Sequence, residues 1–149
     1  AVYGPLLPRT VEVRAAGVRV MSDKQKPEIG AVGWFDLTVD DAETVRDFYE
    51  QVVGWTWQGH DMGDYEDYMM STPGGRGVAG VCHARGPNVG LPPHWMLYVN
   101  VADLDESLAR CKAMGGEQLG EVREMGAYGR VVYVKDPAGA ALALIQPPA

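Results

Sequence analysis

The sequence predicts an α+β domain made of two similar halves, each running strand, helix, strand, strand, strand. Three observations carry this expectation. An alternating strand pattern from Ala31 to Val39 leads into Asp40 and, three residues on, Glu43, which open a helix stopping at Gly54. The same order returns later: a strand from His94 to Val101, then Asp103 and Glu106, then a helix stopping at Gly115 and Gly116. Each helix is followed by three short strand-like runs. Two copies point to a pseudo-symmetric domain, because a solenoid needs about three or more repeats to be stable.

Residues 1–28 differ from the rest. Pro5, Pro8, Arg9, Arg14 and Arg19 interrupt short apolar pieces, without the continuous apolar core of a signal peptide. Met21 to Pro27 reads as a natural start, so residues 1–28 are expected to be an N-terminal extension, with 1–20 an upstream segment. The domain is expected over 29–147, as modules 29–85 and 93–147. In the first helix, Ala42 to Val53, the residues Val45, Phe48, Tyr49, Val52 and Val53 form one apolar face. Asp40 or Asp41 caps its start and Gly54 supplies a left-handed exit. Strands follow from Trp55 to Gln58, Tyr65 to Ser71 and Gly77 to Ala84, the last two joined by Pro73, Gly74 and Gly75. That reading leaves His60 in a loop. Arg85 to Pro93 is a linker by composition.

The second helix, Leu104 to Met114, repeats the pattern with Leu104, Leu108 and Cys111, which makes Cys111 a small core residue. Strands are expected from Glu117 to Val122, Tyr128 to Val134 and Ala140 to Gln146, with Asp136 to Gly139 as the turn before the last.

The chain has 149 residues, enough for one domain with a substantial core. Apolar residues make up 46% and charged residues 22%, ordinary for a soluble globular protein. A net charge of -7 argues against a nucleic-acid surface, which carries a basic patch. Cys82 and Cys111 make no disulfide framework, so a reducing cytoplasm is the expected location. No apolar run reaches the ~18 residues that span a membrane. There is no nucleophile elbow, phosphate loop or dinucleotide fingerprint. Gly74 to Gly77 joins two strands rather than opening a helix, which argues against a phosphate cradle.

The strand into Asp40 and Asp41, the helix segment Arg46 to Tyr49 running to Val53, Gly54 and Trp55, and the closing Asp136 to Gly139 before Leu142 to Ile145 together resemble the vicinal-oxygen-chelate superfamily of glyoxalases, bleomycin-resistance proteins and dioxygenases. Pro92 to Trp95 and the helix exit Ala113 to Gly116 resemble its glyoxalase-like branch. The resemblance covers residues 29–147 and implies two βαβββ modules whose curved mixed sheets surround a small-molecule cavity. It also implies a metal held by His and Glu on the first and last strands of the modules. Here those positions fall on Trp34, near Met96, and on Ala143, which offer none of the nitrogen or oxygen ligands such sites use. The expectation is therefore no metal or other cofactor. A divalent metal held by His94 with Glu124 or His83 is the alternative.

Alternation puts Trp34, Asp36 and Thr38 on one face of the first strand and Phe35, Leu37 and Val39 on the other. The second set is uniformly apolar and is expected to pack under the helix, so the first set lines the cavity. By the same argument His94, Met96, Tyr98 and Asn100 face the cavity from the second module, with Ala141 and Ala143 leaving space. Trp95, Leu97, Val99 and Val101 go to the core. This is the composition of a binding pocket. Asp36 beside Trp34 is the candidate catalytic group, a base with a raised pKa. Alternatively it accepts bonds from Arg130, Thr38 or a backbone amide, or faces water at a dimer surface. Tyr98 and Tyr128 are candidate donors to a ligand carbonyl.

The expected function is binding of a small organic molecule without the family's usual metal. One alternative is a lyase, isomerase or dioxygenase using an atypical metal site or Asp36. Another is a resistance protein sequestering a cationic, aromatic antibiotic, which Trp34, Trp55, Trp57 and the acidic charge would suit. A homodimer is also expected as an option.

Overall fold

Two strands from opposite halves form the middle of the molecule. In this computed structural model, which describes residues 27–149, β1 (Val32–Val39) pairs antiparallel with β5 (Trp95–Asn100), setting Phe35 opposite Leu97 and Asp36 opposite Met96. The expected extension over residues 1–28 lies outside the described residues except for its last two. After β1 come α1 (Ala42–Val53), β2 (Thr56–Asp61), β3 (Glu66–Ser71) and β4 (Gly77–His83). After β5 come α2 (Leu104–Ala113), β6 (Glu117–Glu124), β7 (Arg130–Lys135) and β8 (Ala141–Gln146). The eight strands form one open mixed sheet in the order β2-β3-β4-β1-β5-β8-β7-β6. β1 runs parallel to β4 and β5 parallel to β8, and all other neighbours are antiparallel.

Both helices start on an aspartate. Asp41 accepts from the Thr44 amide at 3.1 Å and Asp103 from the Glu106 amide at 2.9 Å, each satisfying one donor that the first helical turn leaves free. Gly54 closes α1 with φ 78°, a left-handed exit open to glycine at little cost. Both helices lie on one face of the sheet. Under α1, Ala42, Tyr68, Met70, Ala79 and Val81 are buried. Under α2, Leu104, Leu108, Val132 and Val134 are buried, with Cys111 packed against them as expected. A third cluster, Met96, Tyr98, Val131, Tyr133 and Ala143, occupies the opposite face.

Four expectations need correction. His60 lies in β2, paired opposite Asp67, because β2 is an exposed edge strand whose ladder with β3, not its composition, defines it. Tyr128 is not in a strand: Gly126 and Gly129, both at positive φ, make Gly126–Tyr128 a 3-10 turn, and the ring is 73% exposed. His94 precedes β5 and is exposed, its amide bonded to the Pro92 carbonyl at 2.9 Å. Phe35 is on the helix side of the sheet, as alternation requires, but α1 settles chiefly over β3 and β4. Phe35 and its neighbour Leu97 are each left 40% exposed, with Phe48 and Val52 of the helix also open to solvent.

Candidate functional site

Opposite the helices, the seam between the modules carries a row of polar and aromatic groups. Trp34 and Asp36 both project from β1, and the indole Nε1 donates to Asp36 Oδ1 at 2.7 Å. The pairing of Asp36 with Gly80 of β4 makes room for the carboxyl: a Cβ at Gly80 would collide with Asp36 Oδ1. On the β5 side the Tyr98 hydroxyl meets the Tyr133 hydroxyl at 2.8 Å, and Tyr98 lies on the strand next to β1, opposite Trp34. Trp34 with Asp36 and Tyr98 with Tyr133 thus form two hydrogen-bonded pairs side by side, from three strands.

Burial dominates the electrostatics of this row. Desolvation raises the Asp36 carboxyl above its ordinary 3.8, more than the hydrogen bonds from Tyr98 and Trp34 bring it down, and the charge of Asp67 adds to the rise. Burial likewise pushes the Tyr98 and Tyr133 phenols up. It pushes the Cys82 thiol up too, with the charges of Asp36 and Asp67 adding to the effect, so Cys82 stays protonated and inert at neutral pH. Among the described residues no basic side chain lies within 4.0 Å of the Asp36 carboxyl. Arg130, one expected partner, instead binds Asp105 at 3.0 and 3.1 Å and Glu124 at 3.3 Å.

The remaining expected site residues fall at different places. Met96 and Ala143 are buried in the cluster beneath the row. Thr38 is buried opposite Cys82 at one end of β1. Asn100 is buried at the far end of β5, its amide donating to the Glu28 carbonyl at 3.1 Å. His94 stands apart on the surface. Trp55 and Trp57 belong to the helix side of the sheet: Trp55 stacks on Tyr49 at 5.4 Å, and Trp57 carries the Arg46 guanidinium 4.0 Å above its ring. Trp34 is therefore the indole of the seam row. On the helix side, Phe35, Trp55, Val78, Ala79 and Trp95 also line a shallow apolar cavity of about 240 Å³.

Three residues of the site were not named by sequence reasoning. Tyr133 follows from alternation along β7, where Val131 and Tyr133 share a face. Gly80 shows itself only once the register to Asp36 is known. Arg123 comes after an irregularity in the β6 pairing, where counting by twos fails. Its guanidinium lies 5.0 Å from the Tyr133 ring centre.

At the positions where a metal would be held, an indole, a thioether and a methyl group stand in place of nitrogen and oxygen donors. Among the described residues no three His, Cys, Asp or Glu side chains gather as a metal site requires. The alternative donors are engaged elsewhere: His83 Nδ1 lies 2.9 Å from the Glu66 carbonyl, and Glu124 pairs with Arg130. The donor set does not suit a divalent metal at the seam.

The sequence profile of the glyoxalase/bleomycin resistance protein/dioxygenase superfamily matches residues 31–144. The chain belongs to that superfamily. It is 31% identical over 120 residues to the glyoxylase-like protein CFP32 of Mycobacterium tuberculosis, a match covering 80% of this chain and 45% of that protein. It is also 31% identical over 127 residues to the anthracycline biosynthesis protein DnrV of Streptomyces peucetius, covering 77% and 46%. The chain thus spans less than half the length of these curated relatives. Among solved structures, methylmalonyl-CoA epimerase of Streptomyces coelicolor shares the fold with a TM-score of 0.53 at 15% identity, covering 82% of this chain and 100% of that one. The protein BH1468 of Bacillus halodurans does so with 0.56 at 10%, covering 80% and 95%. Among the described residues no helix is long and apolar enough to cross a membrane.

Proposed function

We propose that this superfamily member binds a small organic molecule against the seam row, with Trp34 as the apolar platform and Asp36 as the polar anchor, and without a metal. One observation carries the reading: a desolvated carboxyl that accepts from the Trp34 indole and, among the described residues, has no basic nitrogen within 4.0 Å. A carboxyl in this state gains most from a further hydrogen-bond donor or a cation, which a ligand brings. The indole supplies a flat face of the kind aromatic ligands stack on. The relative named for anthracycline biosynthesis supports an aromatic ligand, since anthracyclines carry fused aromatic rings.

A second reading makes the protein an isomerase or lyase that uses Asp36 as a general base. The raised pKa of Asp36 favours it, because a base works best when its pKa approaches the working pH. Thermal-shift screening against aromatic polyketides and small carbonyl metabolites tests both. The expected outcome is stabilisation by an aromatic compound that is lost in Trp34→Ala. Wash-in of solvent deuterium at an acidic C–H of a hit, abolished in Asp36→Asn, would favour catalysis. Hits that bind equally well to both variants would refute the seam as the site.

A further inference from the structure

The connection between the two modules is longer than the topology requires. β4 ends at His83 opposite Val39, and β5 starts at Trp95 opposite Leu37, so both ends lie at the same end of β1. Crossing one intervening strand means about 10 Å, twice the inter-strand spacing, which three or four residues can span. The chain uses residues 84–94. The surplus is laid over the face opposite the helices, where Leu91 packs against the cluster of Met96, Tyr98 and Tyr133.

Arg123 holds this segment down. Its Nη1 donates to Asn88 Oδ1 at 3.2 Å and its Nη2 to the Pro87 carbonyl, while the guanidinium rests over Tyr133. Arg46, Arg110 and Arg130 each meet a carboxylate. Among the described residues no carboxylate lies within 4.0 Å of Arg123, in a chain that carries 20 Asp and Glu residues. A partly buried, permanently charged fork is therefore satisfied only by neutral oxygens. A carboxylate or phenolate would make charge-assisted, bidentate bonds roughly twice as strong as these. It would also arrive beside the Tyr133 and Tyr98 pair, on the face that carries Trp34 and Asp36.

We infer that Arg123 recognises an anionic oxygen of the ligand, and that residues 86–91 are a lid which Arg123 latches shut until that oxygen displaces the Pro87 and Asn88 carbonyls. The ligand is then an organic acid or phenol whose apolar body runs along Tyr133 and Tyr98 towards Trp34. This inference rests on the seam being the binding site. It adds which end of the ligand goes where and what must move to admit it.

Three naphthalenes of nearly one shape provide the test: 2-naphthoate, the neutral 2-naphthamide and the cationic 2-naphthylmethylammonium. Calorimetric titration of the whole chain should find naphthoate binding about tenfold tighter than the amide, the difference expected between charge-assisted and neutral bonds. Arg123→Ala should erase that preference while leaving amide binding in place, and Arg123→Lys should keep part of it. Without any probe, the amides of Asn88, bonded to the Arg85 carbonyl at the lid's base, and of Val89 and Leu91, bonded within the closed lid, should exchange hydrogen faster in Arg123→Ala. Adding naphthoate to the wild-type protein should have the same effect. Equal binding of acid and amide, no binding of naphthoate, or unchanged exchange in Arg123→Ala would overturn the inference. If the probes bind alike and Trp34→Ala abolishes all binding, the seam stands and the role of Arg123 falls. If Trp34→Ala leaves all binding intact, the seam itself falls.

Discussion

Burial makes the Asp36 carboxyl harder to ionise in the folded protein than in the unfolded chain, and this links its charge to stability. Below about 3.8, its ordinary value, the group is protonated in both states and costs the fold nothing. As pH rises towards the raised folded value, the unfolded chain releases its proton first, so stability falls through that window and then levels off. Asp36→Asn keeps an acceptor for Trp34 and has no charge to lose. The variant should gain on the wild type as pH rises from 4 to 7.5, measured by denaturant melts at several pH values. A constant difference across that range would show that Asp36 is not desolvated. Gly80→Ala should disturb the same group by pushing the carboxyl from its place, weakening ligand binding while the far-UV spectrum stays unchanged. Trp34 and Asp36 were legible in the sequence because alternation along a strand is strict. Gly80 and Arg123 were not, because each depends on a register that only tertiary pairing defines.

At the scale of elements, a local cap is easier to read than a tertiary cover. The bounds of α1 followed from Asp41 and Gly54, and those of α2 from Asp103, because these signals act within a single turn. Which strands a helix covers depends on how the whole sheet twists. Phe35, expected to pack under the helix, is instead partly open, and that changes its energetics. Phe35→Ala should cost no more than about 1–2 kcal/mol, well under the ~3–5 kcal/mol of a fully packed phenylalanine. Leu104→Ala, at a position with no exposed surface, should cost about 2–5 kcal/mol. Denaturant melts of the two variants provide the check, and a larger loss from Phe35→Ala would mean that another surface covers the β1–β5 strip in solution. The strand β2 was misread at His60 for a related reason. An edge strand exposed on both faces has no hydrophobic pattern to betray it, only a partner.

Across the whole molecule, the repeat seen in the sequence is the repeat in the fold: each half forms its own helix-covered set of four strands, and the halves meet at the β1–β5 seam. The family membership and the α+β architecture were both readable from the order of elements. The content of the face opposite the helices was not, since Leu91 of the long connection packs there against Met96, Tyr98 and Tyr133.

The seam also bears on the covalent chain. β1 and β5 are each complete within their own half, so the ladder that joins the halves depends on both strands being present, and the connecting peptide adds only the Arg123 bonds to Pro87 and Asn88 and the packing of Leu91. A cut between Val89 and Gly90 should leave two fragments, 1–89 and 90–149, that find each other when co-expressed. Each would complete the other's unpaired strand, with only the advantage of tethering lost. Expressed alone, either fragment would present a bare central strand with an apolar face, and it should aggregate edge to edge. Soluble recovery of both pieces as a one-to-one complex, set against insolubility of each alone, would show that the molecule is a partnership of two halves that happen to share one backbone.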